Sequence, residues 1–126
     1  MVLKLISVFI GGGIGAILRF IATLLSKHYL ETPVFGTFCV NITGCFLIGM
    51  FLGVILNKTD AIPQVTKLFL SAGLLGGLTT FSSLNLEVFE LIKNGKVLIG
   101  LLYLFTSCLL GLICTYLGYL SVTAKI

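Results

Sequence analysis

A chain of 126 residues that is 58% hydrophobic and 10% charged, with a mean hydropathy of +1.20, carries too few charges to cover a water-soluble globule. Its apolar residues fall in long runs rather than a one-sided stripe, which predicts an all-α integral membrane protein forming a single domain over residues 1–126. The net charge of +4 is spread thinly, with no basic cluster longer than two residues, and this excludes a nucleic-acid surface.

The first predicted span covers residues 3–26. Its start resembles a secretory leader, with one lysine and an apolar run. The run continues past Arg19 into a further apolar turn and offers no convincing small-residue cleavage site, so it is read as a retained span. Arg19 is a cation late in that span, costly in hydrocarbon unless it snorkels or meets Glu87 or Glu90. A vestibule role, drawing anions, is the other reading. His28 falls in the polar stretch after the span and receives no function.

The second span, residues 34–56, contains "GTFCVNITG". Thr37, Asn41 and Gly44 stand at i, i+4 and i+7, on one helical face with polar groups and little bulk. An amide at that depth serves either an interhelical hydrogen bond or a pore. The polar stretch Asn57-Lys58-Thr59-Asp60 closes this span.

The third span, residues 63–92, holds "GLLGGLTTFSSLNLE". Gly73, Gly76 and Gly77, followed by Thr79 and Thr80, weaken helix propensity and predict a break in mid-span. Carbonyls turned inward at such a break bind a cation, and amides at a half-helix start attract an anion. A kink filled by neighbouring Ser and Thr side chains is the plainer alternative. Phe81 follows directly. Its electropositive ring edge could touch an anion, or the ring could be ordinary core.

The fourth span, residues 97–122, presents Tyr103, Ser107, Gly111 and Thr115 at successive steps of four. Together with the stripe on the second span, these groups would line a path of N–H and O–H donors without fixed charge, suited to a small anion that must be partly dehydrated but not trapped. Every span exceeds the ~20 residues needed to cross a ~30 Å hydrocarbon core. The short connections predict antiparallel neighbours and both termini on one side. Lys4, Lys58, Lys67 and Lys125 belong to the terminal face, and Lys27, Lys93, Lys96 and Arg19 to the other. Four against four forces no single orientation, and insertion both ways round becomes accessible. Glycines at helix-packing spacing (Gly11 and Gly15, Gly49 and Gly53, Gly111 and Gly118) suit a tight bundle and a dimer. One copy encloses little space for a path of its own. Cys39, Cys45, Cys108 and Cys114 lie in apolar runs, pairwise six apart, and read as buried thiols rather than a metal or redox motif.

With these residues laid out, the chain resembles the CrcB/Fluc family of fluoride channels. The likeness rests on "GGGIGAILRF", "GTFCVNITGCFLIG" and "GGLTTFSS" with Glu87, in that order and at family-like spacing. The resemblance implies an antiparallel, dual-topology homodimer that conducts fluoride passively out of the cytoplasm through two pores. It further implies a structural sodium ion at the dimer centre. By position, Gly76 and Thr79 would supply backbone carbonyls to sodium. Asn41 would be the pore amide and Phe81 part of a phenylalanine box. Tyr103 and Thr115 would lie on the polar track, with Thr37, Ser82, Ser83 and Ser107 beside it. Arg19 matches the arginine of the first motif, and Glu87 closes the third.

Two positions depart from the family pattern. Leu84 stands where a second phenylalanine is usual, keeping bulk but losing the electropositive edge. Gly111 stands where a hydroxyl often lies. The rival readings are a small four-helix multidrug exporter and a non-transporting scaffold. The exporter needs a membrane-embedded carboxylate, and the acids here are Glu31, Asp60, Glu87 and Glu90, none in the first span. The scaffold leaves the polar break unexplained. No nucleophile–base pair or metal cluster suggests an enzyme.

Overall fold

The computed structural model describes residues 1–57 and 62–124. Lys58, Asp60 and Lys125 from the charge tally lie outside the described residues. Within them the chain is all-helical, with four segments long and apolar enough to cross a membrane: Val2–Leu30, Val34–Leu56, Gln64–Lys93 and Val97–Thr123.

Helix α1 (Val2–Leu30) outruns the predicted 3–26 because Lys27 and His28 stay helical in its last turn. Glu31 then takes a left-handed conformation and ends it. Ser26 holds the turn that follows: its hydroxyl donates to the Thr32 carbonyl at 2.6 Å and accepts from the Gly36 N–H at 3.0 Å. Helix α2 (Val34–Asn57) begins there.

The third segment is composite. It comprises α3 (Gln64–Leu68), a π-helical stretch Phe69–Leu75, a short α4 (Gly76–Leu78) and α5 (Phe81–Lys93). Helical backbone angles lapse only at Thr79 (φ −82°, ψ 153°) and Thr80 (φ −151°, ψ 116°). Within the stretch expected to loosen, Gly73, Gly76 and Gly77 are all helical and the extended angles fall on the two threonines. After Gly95, α6 (Val97–Thr123) completes the bundle.

What these glycines do is let backbones touch. A methyl on Gly77 would strike the Gly12 carbonyl, and one on Gly73 would stand 3.0 Å from Gly11 Cα. On the other side of the bundle, Gly49 faces the Thr115 carbonyl, Gly118 faces that of Phe46, and Gly111 faces the Cys45 thiol. In both pairings rising numbers meet rising numbers, so α1 runs parallel to the π stretch and α2 parallel to α6. Lipid gives no apolar drive to helix association, and such close approach supplies the dispersion that replaces it. The apolar interior is correspondingly small: Val40, Leu75 and Leu78, with Ala22 and Ile48 against them. Most large apolar side chains face outward, as bilayer solvent permits.

Candidate functional site

The two extended residues of the third segment leave main-chain groups that side chains then claim. Asn41, one turn of α2 beyond Thr37, grips Thr80 at both ends. The Thr80 N–H donates to Asn41 Oδ1 at 2.7 Å, and Asn41 Nδ2 donates to the Thr80 carbonyl at 3.0 Å. Thr80 also starts α5 as its N-cap, its Oγ1 accepting from the Ser83 N–H at 3.1 Å. The same Oγ1 bonds the Ser83 hydroxyl at 3.0 Å and shares a 3.2 Å hydrogen bond with Ser82. Thr79 points its own hydroxyl back to the Leu75 carbonyl at 3.0 Å, and its methyl is pressed into the space above Gly44.

Around this junction lies a cavity of about 550 Å³, lined among others by Asn41, Gly76, Thr79, Phe81, Ser107 and Thr115. It collects six of the residues singled out in the sequence. Their hydrogen-bonding states differ. The Asn41 amide is engaged with Thr80, and Thr115 Oγ1 donates to the Gly111 carbonyl at 3.0 Å. Ser107 Oγ is buried with no partner, alone in this among the buried side-chain polar atoms of the described residues. Leu84 also walls the cavity and is only 4% exposed, so its bulk is spent inside the chain. Phe81 is the opposite. At 69% exposed it is not ordinary core, and its ring lies on the outside of the single chain.

A second cavity, about 320 Å³, takes Arg19, Thr37, Ser83, Glu87 and Glu90. Here the side chains of Arg19, Thr23, Thr37 and Glu87 all have partners within the chain. Thr37, 1% exposed, donates its hydroxyl to Glu87 Oε1, and the Tyr103 hydroxyl donates to Glu87 Oε2 at 2.8 Å. The carboxylate thus joins the leading residues of the α2 and α6 stripes. Thr37 and Tyr103, expected as donors to a passing anion, already serve Glu87. Arg19 does not take that carboxylate as its partner. Its Nε donates to the Gly77 carbonyl at 3.2 Å, where α1 presses against the third segment. Geometry explains the choice: both oxygens of Glu87 are already capped, while the lapse at Thr79–Thr80 leaves the Gly77 carbonyl short of its usual i+4 donor.

The sequence marks Thr80 only as part of the weakened stretch, whereas in the structure it organises the whole junction. A hydroxyl residue three before Ser83 at a helix start was the available signal. Sequence reasoning missed the Glu87–Thr37–Tyr103 cluster, whose members are separated by 50 and 16 residues along the chain.

Residues 6–119 match the family described as "CrcB-like protein, Camphor Resistance (CrcB)". The chain is 43% identical over 110 residues to a protein of Flavobacterium psychrophilum named "Fluoride-specific ion channel FluC", covering 86% of this chain and 88% of that one. Proteins of the same name are similar in Azobacteroides pseudotrichonymphae (38% over 122 residues, 95% and 96% covered) and Aquifex aeolicus (40% over 116 residues, 90% and 92% covered).

Proposed function

The chain belongs to the CrcB-like family, and we propose that it is a fluoride channel of the bacterial cell membrane, letting fluoride leave the cytoplasm down its own gradient. The observation that carries this reading is the likeness to proteins named fluoride-specific ion channels along nearly the whole chain. It is a conduit rather than an enzyme.

The path runs along the larger cavity. Fluoride gives up part of its hydration shell only where O–H and N–H groups replace it, and the unpartnered Ser107 hydroxyl is such a group. Fixed cations would hold the ion rather than pass it, and Arg19 lines the other cavity. Two copies inserted in opposite senses form the working unit, with two pores. The balanced lysine distribution is compatible with dual insertion. The outward Phe81 ring can then reach across to complete the partner copy's cavity wall.

The lapse at Thr79 and Thr80 sits at mid-depth of the bilayer in this reading, and sodium belongs beside it. In an unbroken helix the Gly76 carbonyl accepts from the Thr80 N–H and the Thr79 carbonyl from the Ser83 N–H. Both amides donate to side-chain oxygens instead, those of Asn41 and Thr80. The donor chemistry therefore fits: neutral carbonyl oxygens, freed from helical bonding, suit a hard cation. Two such carbonyls from each copy would hold the ion, whose charge supplies a fixed positive potential at the centre of the dimer.

Purified protein in liposomes tests the function. It should release fluoride without a proton or sodium gradient and exclude chloride. Release that requires a proton gradient would instead assign it to the exporter class. Phe81→Leu should lower the flux while leaving the dimer assembled.

A further inference from the structure

We infer that Asn41 and Thr80 are positioning residues for the cation: their side-chain oxygens divert the two amides that would otherwise close over the Gly76 and Thr79 carbonyls. The inference rests on the sodium reading above and changes the role of Asn41. Its amide is a main-chain surrogate through Oδ1 and one Nδ2 hydrogen, leaving the second Nδ2 hydrogen as its remaining donor.

The geometry has a polarity that supports this. The Thr80 N–H can only donate and the Thr80 carbonyl can only accept, so the amide is held in one orientation, Oδ1 to N–H and Nδ2 to carbonyl. Asn41 thereby mimics a neighbouring strand, satisfying both main-chain groups of one extended residue. The next displaced amide is handled locally: Ser83 N–H turns to Thr80 Oγ1 at 3.1 Å, with Thr79 upstream left out. Between these two, the Gly77 carbonyl goes to Arg19 Nε. Gly76 and Thr79, the two carbonyls named for sodium, are the acceptors whose i+4 amides have been redirected to side chains of Asn41 and Thr80. Loss of either side chain would let the corresponding amide fall back to its helical acceptor, and that carbonyl would no longer face the ion.

The test is a sodium titration of the melting temperature of the full-length dimer in detergent, with choline chloride holding ionic strength constant. The wild type should gain stability as sodium rises, since an ion bound only to the folded state stabilises it by mass action. Asn41→Ala and Thr80→Val should each need about tenfold more sodium for half of the maximal gain, the effect typical of losing a group that orients a metal ligand. Thr80→Ser, which keeps the capping hydroxyl, should titrate like the wild type. A purely structural role would lower the melting temperature equally in both salts without moving the sodium midpoint. Thr80→Val and Asn41→Ala titrating at the wild-type sodium concentration would overturn the inference and leave the sodium site standing. A wild type indifferent to sodium would overturn the site itself, and the inference with it. Should Asn41→Ala not assemble, the Thr80 pair decides alone: a shift for Val but not Ser supports the inference, and equal midpoints overturn it.

Discussion

In the cavity around Glu87, the side chains of Glu87, Thr37, Thr23 and Arg19 all have intramolecular hydrogen-bond partners, whereas in the cavity around Asn41 the Ser107 hydroxyl has none. Both cavities are lined by the same third segment and both mix hydroxyls with apolar walls. The difference is in what remains available. Polar groups that are already paired hold helices together, and a donor left open in a buried place is costly unless something comes to use it. Composition alone would rank the Glu87 cavity as the more active site, because it contains the charges. Hydrogen-bond accounting reverses that ranking.

The contrast can be broken from the paired side first. Glu87→Ala would strand the buried Thr37 hydroxyl, while Tyr103 keeps the Val34 carbonyl at 3.4 Å, and should cost about 2 kcal/mol of folding stability in detergent, within the roughly one to three expected per orphaned buried group. An unfolding curve that barely moves would show the cluster to be incidental. On the open side, Ser107→Ala removes no intramolecular bond, so stability should hold while fluoride flux in liposomes falls about tenfold, close to the 1.4 kcal/mol expected from one lost donor to an anion. Unchanged flux would mean that the ion does not use this hydroxyl. Tyr103→Phe is a milder probe, deleting one of two bonds to Glu87, and should lower stability by about 1 kcal/mol in the same unfolding measurement. A larger loss would mark Tyr103, not Thr37, as the main support of the carboxylate.

Much of the architecture could be read from residue order. Runs of apolar residues between polar stretches placed four spans to within a few residues, because bilayer thickness fixes their length. Individual assignments went astray where one residue type serves two ends. Gly73 and Gly77 were read as loosening the helix, and in the bundle they are contact points for α1. Thr80 accommodates the lapse because its hydroxyl serves the Ser83 amide in place of a main-chain acceptor, something a glycine cannot do, while the Thr79 hydroxyl only adds a second donor to the Leu75 carbonyl that its own amide already reaches. For Arg19 the sequence leaves open snorkelling, a pairing with Glu87 or Glu90, and a vestibule role. Its actual partner is an uncharged carbonyl made available by a backbone irregularity that no charge count reveals. The larger cavity draws together six of the residues flagged in advance, since α2 and α6 lie side by side and part of each stripe lines the same space.

The π-helical stretch Phe69–Leu75 has its own consequence. Hydrogen bonding from i to i+5 wraps more chain into each turn than ordinary α geometry does. Seven residues wound this way carry slack that could be removed by excision. Deleting a single one and letting the stretch tighten to α geometry would leave the downstream helix close to its present direction, because the tighter winding takes up the lost residue's share of the turn. Thr80 would still be presented to Asn41 after such a deletion. For this protein, removing one residue from that stretch should be far less damaging than removing one from a regular helix such as α5, where nothing absorbs the lost turn.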